Sequence, residues 1–64
     1  MKKNGWGAIR KNEEGEWIDS YSFDLLPDEC RKRAGITDAQ IPHWAKTNPI
    51  QRIVPCAIVI TNTE

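Results

Sequence analysis

Only two of the 64 residues are cysteines, Cys30 and Cys56, and only one, His43, is a histidine. Two thiols are too few for the disulfide framework of a small secreted domain, and they lack the C-x-x-C spacing of redox and zinc sites. A zinc site built from Cys30, Cys56 and His43 would need a fourth ligand that no spacing supplies. Buried thiols, no metal and no cofactor are the expectation. No apolar run approaches the roughly 18 residues that span a bilayer, and Met1 to Asn4 leads into a charged hairpin rather than a signal-peptide core. The chain therefore reads as cytoplasmic and without membrane contact.

An excess of one charge is also missing, since nine basic residues balance nine acidic ones. The distribution is uneven: Lys2, Lys3, Arg10 and Lys11 open the chain, and Glu13, Glu14, Glu16, Asp19, Asp24, Asp28 and Glu29 follow. Basic residues then return as Arg31, Lys32, Arg33, Lys46 and Arg52. No whole-molecule field favours nucleic acid, although a local basic patch stays open. Nor is there a catalytic motif. The single histidine lies between Pro42 and Trp44, so it reads as a packing or surface residue and the chain as a non-enzyme.

What is present suffices for a fold. Apolar residues make up 39% and charged residues 28% of the chain, the balance of a globular protein and not of a disordered one. Residues 1–64 form one domain, of a size that buries only about 60% of its unfolded surface.

Between Trp6 and Phe23 the chain reads as two strands around Asn12-Glu13-Glu14-Gly15, with Asn at the first position of a type I turn and Gly where φ must be positive. A three-residue loop pairs Arg10 with Ile18 and puts Trp6, Ala8 and Ile18 on one face, with Gly7, Ile9, Trp17 and Tyr21 on the other. A four-residue loop instead puts Trp6, Trp17 and Tyr21 together. Both registers are open. Asp19 is expected either on the sheet's open side or in a cross-strand pair with Lys11.

From Asp24 to Ala34, Leu26, Cys30 and Ala34 recur at helical spacing, acids precede bases, Pro27 suits the first helical position and Gly35 suits a stop. Asp28 with Lys32 and Glu29 with Arg33 are expected i,i+4 pairs. Thr37-Asp38-Ala39-Gln40 is a capping-box pattern with Ile36 and Ile41 placed as a staple, predicting a second, short helix that tolerates Pro42 and stops by Asn48-Pro49. Ile50 to Thr61 is β-branched and apolar, a strand with Pro55 marking an edge or bulge. Ile50, Val54, Cys56, Ile58 and Ile60 are expected on one face and Ile53, Ala57 and Val59 on the other. The predicted fold is α+β: a three-stranded antiparallel sheet, ββαβ in order 2-1-3, with one main helix and one short helix on one face.

Three tryptophans are many for so short a chain. Flat aromatic side chains fill small cores, and they are also enriched at contact surfaces. Trp6, Arg10, Trp17, Tyr21 and Trp44 are the candidate contacts for a protein partner, on the sheet's open face. Ile53, Ala57 and Val59 are candidate contacts for a homodimer through the last strand, because a strand apolar on both sides needs covering on both.

The opening Gly5-Trp6-Gly7-Ala8-Ile9, the hairpin return Gly15-Glu16-Trp17 and the Ile53-Val54-Pro55-Cys56 strand resemble small accessory proteins of bacteriophages and prophages. That resemblance implies action by binding a host protein and assigns no site residue. The expected function is a non-catalytic protein-binding module. The alternatives are a nucleic-acid-binding module, using Arg31, Lys32, Arg33 and Lys46 or an aromatic platform, and a structural homo-oligomer. The acidic hairpin tip argues against nucleic acid.

Overall fold

The computed structural model describes residues 2–59. Its elements are β1 (Lys2–Asn12), β2 (Gly15–Asp24), α1 (Pro27–Gln40), α2 (Pro42–Thr47) and β3 (Ile50–Val59), and the sheet runs β2-β1-β3 with both pairings antiparallel. This is the α+β fold expected from the sequence, with the first strand in the middle.

The hairpin loop is shorter than either expected version. Only Glu13 and Glu14 separate the strands, Asn12 pairs with Gly15, and Arg10 therefore faces Trp17 while Ile9 faces Ile18. The turn chemistry itself is as read: Asn12 Oδ1 accepts the Glu14 N–H at 2.8 Å, and Gly15 has φ +127°. Directly paired residues share a face. Trp6, Ala8, Arg10, Trp17, Asp19 and Ile53 thus look toward the helices, and Gly7, Ile9, Lys11, Glu16, Ile18, Arg52 and Val54 look away. A shift of register between Ile9 and Arg10 brings Ile50 onto the helix side beside Ile53, not opposite it as simple alternation predicts.

The main helix is longer than expected. Leu26 is extended (φ −125°, ψ 140°) and Pro27 opens α1, as read. Gly35 does not end it, for its φ is not positive and the helix runs on to Gln40. Thr37 caps nothing; its hydroxyl donates back to Arg33 O at 3.2 Å. The break comes from Pro42, whose ring disfavours helical geometry at the preceding residue, and Ile41 leaves the helix at φ −133°, ψ 67°. Ile36 and Ile41 are both exposed and make no buried staple. The helix-surface pairs also differ: Glu29 meets Lys32 at 3.8 Å, and Arg33 turns to Asp24 at 2.7 Å.

α1 closes on the sheet through small side chains. Ala8, Cys30 and Ala34 form the fully buried apolar core, with Trp6, Ile50 and Ile53 packed around it, while Leu26 remains exposed. The largest side chains withdrawn entirely from solvent are Arg10, Asp19, Cys30 and Ser22, so polar groups carry much of the interior. The uncovered face of the sheet packs on itself. A Cβ on Gly7 would lie 2.8 Å from the Phe23 ring, and one on Gly5 would lie 2.6 Å from Ile58 Cδ1. The bare central strand is what lets its neighbours lean over it.

Candidate binding surface

The candidate contact residues separate into a buried cluster and one displayed side chain. Arg10 lies under α1 and α2, where no partner reaches it. Its Nε donates to Asp19 Oδ2 at 2.7 Å, Nη1 to Asn48 O at 2.8 Å and Nη2 to Asp38 Oδ1 at 2.8 Å. Its guanidinium carbon also stands 4.8 Å from the Trp44 ring centroid, and Trp44 meets Trp17 edge to face at 5.8 Å. Burial alone would disfavour this charge, but the Asp19 and Asp38 carboxylates outweigh it and hold the guanidinium above its ordinary range. Asp19 is thus in a buried ion pair with Arg10, not with Lys11. The Trp17 indole N–H is buried without a hydrogen-bond partner. Trp6 packs on the core, so no tryptophan of this set stands on the sheet's open face.

Tyr21 is the exception, at 84% exposure. Its position follows from a large bulge in β2. Asp19 pairs with Ala8 and Asp24 with Trp6, so Ser20, Tyr21, Ser22 and Phe23 all stand against Gly7 alone. Ladder bonds lost there are replaced by side chains. Ser22 Oγ accepts the Ala8 N–H at 2.8 Å and donates to Asp19 O at 2.6 Å, and Asp19 Oδ1 accepts the Tyr21 N–H at 3.0 Å. Ser22 and Asp19 are both buried, and Phe23 is folded over Gly7, so the backbone beneath Tyr21 is held from three sides. Just beyond it Leu25 and Leu26 are 52% and 59% exposed. The sequence pattern did not reveal Leu26 as surface, because it recurs at helical spacing with Cys30 and Ala34, which are buried.

Of the candidate dimer contacts, Ile53 is half-buried against the core and Ala57 is exposed on β3. The side chain of Val59 lies outside the described residues, as do Ile60 and Thr61. His43 is exposed. Cys30 is buried in the core, which pushes its thiol up and away from the reactive thiolate. Among the described residues no three His, Cys, Asp or Glu side chains are grouped to hold a metal ion, and no helix is long and apolar enough to cross a membrane.

Comparison with family models, curated proteins and solved structures finds no match to this chain, so its function must be argued from this geometry.

Proposed function

We propose that this chain is a non-catalytic protein-binding module whose contact is centred on Tyr21, with Leu25 and Leu26 beside it. The observation that carries the reading is the contrast between Tyr21 and its support. A large aromatic is 84% exposed on a bulge whose hydrogen bonds come from Asp19 and Ser22, both almost fully buried. A side chain held out by a rigid backbone loses little entropy on binding, and tyrosine is among the residues that dominate interface energies. Bulges of this kind re-aim side chains beside functional surfaces. The basic run of α1 is partly engaged, Arg33 with Asp24 and Lys32 with Glu29, which lowers its claim as a phosphate site. The resemblance to phage accessory proteins adds that the partner is a protein of the host cell.

The test is affinity capture from bacterial lysate by the wild-type chain, by Tyr21→Ser and by a hairpin-tip control, Glu14→Gln. The wild type and the control should retain the same protein, and Tyr21→Ser should lose it by about thirtyfold, as a hot-spot residue would. Equal retention by all three overturns the proposal.

A further inference from the structure

A groove lined by Phe23 and Leu25, two and four residues after Tyr21 in the chain, narrows the chemistry of the partner, on the reading that this is a protein-binding module. At one end of the sheet's uncovered face, Lys3, Phe23, Asp24, Leu25, Arg33 and Ile58 line an open groove of about 310 Å³. Such a volume is at the lower limit of small-molecule pockets, about 300 Å³, and suits one or two side chains better than a whole ligand. Its walls are apolar: the Phe23 ring, Leu25 and Ile58, with Gly5 beneath Ile58. Its charged groups are unequally occupied. The Asp24 carboxylate is already paired, Oδ2 accepting from Arg33 Nε at 2.7 Å and Oδ1 from the Leu25 N–H at 2.7 Å. Lys3 makes no ion pair with any described residue, and the same holds for its strand neighbour Lys2. The acidic hairpin tip is at the other end of β1, nine residues and more along an extended strand. The groove is therefore an apolar slot with the Lys3 ammonium, unpaired among the described residues, at its lip.

We propose that this groove receives an apolar side chain of the partner, flanked by a carboxylate that pairs with Lys3, so that the recognised segment is acidic and apolar together. An apolar anchor supplies the burial, and the opposite charge selects the partner and sets the encounter. A basic segment would meet Lys3 with like charge.

Three short blocked peptides serve as probes in nitrogen-15 NMR titrations: Gly-Glu-Leu-Glu-Gly, its lysine version Gly-Lys-Leu-Lys-Gly, and its apolar-deleted version Gly-Glu-Ser-Glu-Gly. The Glu-Leu-Glu peptide should shift the amides of Lys3, Phe23, Asp24, Leu25, Arg33 and Ile58, and the other two should bind at least about tenfold more weakly. Lys3→Glu should reverse the order of the acidic and basic peptides. The inference is overturned if the Glu-Leu-Glu peptide moves none of these amides at millimolar concentration, if all three bind alike, or if Lys3→Glu leaves the order unchanged. Lysate capture that depends on Tyr21 but is indifferent to Lys3→Glu would sink this inference and leave the protein-binding reading standing.

Discussion

The hydroxyl of Ser22 stands where a ladder carbonyl would, accepting the Ala8 N–H at 2.8 Å across a stretch of sheet that has lost its register. One side chain thereby closes a gap between a core residue and a surface loop. Both of its partners, the Ala8 N–H and the Asp19 carbonyl, belong to fully or almost fully buried residues.

Ser22→Ala should therefore cost about 1–3 kcal/mol, the penalty of leaving a buried polar group without its bond. Urea denaturation checks it. A change within about 0.5 kcal/mol, the range of ordinary surface substitutions, would show that the bulge does not depend on this hydroxyl.

Arg10 is the next test, because its three donor nitrogens join β2, α1 and the end of α2. Arg10→Met leaves Asp19 buried without its counter-charge and should lose about 3–5 kcal/mol, a large part of the stability of so small a domain. Asp38→Asn should cost far less, since that side chain is 39% exposed and water can reach it. Thermal melts of the two variants should differ widely. Equal losses would place the support of the network in Asp38 instead.

The glycines divide by surroundings. Gly35 lies in the interior of α1 with no atom within 4 Å of an added Cβ, so Gly35→Ala should stabilise the fold by about 0.5–1 kcal/mol. Gly7→Ala should destabilise it, since the new methyl would meet the Phe23 ring at 2.8 Å. Gly15→Ala should destabilise it for a different reason: its surroundings are open, but φ is +127°. Denaturant midpoints of the three variants give the signs directly.

The dependence on pH has two limbs. Arg52 donates two hydrogen bonds to Glu16 and holds its carboxyl below the usual range, and Arg33, through one hydrogen bond at 2.7 Å, lowers that of Asp24. A carboxylate with a lowered folded value adds stability above its unfolded value, and that stability is lost as pH falls through the folded one. The urea midpoint should thus drop below about pH 4, and Glu16→Gln with Asp24→Asn should flatten the drop. Cys30 acts at the other extreme. Burial raises its thiol, so stability is complete below the ordinary thiol value and falls as pH climbs toward the folded one. Cys30→Ala should remove the part of the alkaline decline that begins near pH 9.

Local chemistry was enough to read the strands, the helices and the sheet order from the sequence. Asn12 and Gly15 marked the turn, Pro27 the start of α1, and the β-branched run from Ile50 the last strand, whereas the start of α2 was read at Thr37 and lies at Pro42. Each of these acts on its own backbone or its immediate neighbours. The hairpin register, the extent of α1 and the partner of Asp19 were decided elsewhere. A loop one residue shorter turned Trp17 and Arg10 toward the helices, where the carboxylates of Asp19 and Asp38 and the Trp44 ring gather around one guanidinium. The bulge that displays Tyr21 depends on Ser22 reaching Ala8, fourteen positions away. Alternation of apolar and polar residues carries no mark of such a contact, because a serine reads alike in a turn, on a surface or inside a bulge. Pattern determined which elements exist; the pairing of buried polar groups across the fold determined which side chains they hide and which one they hold out.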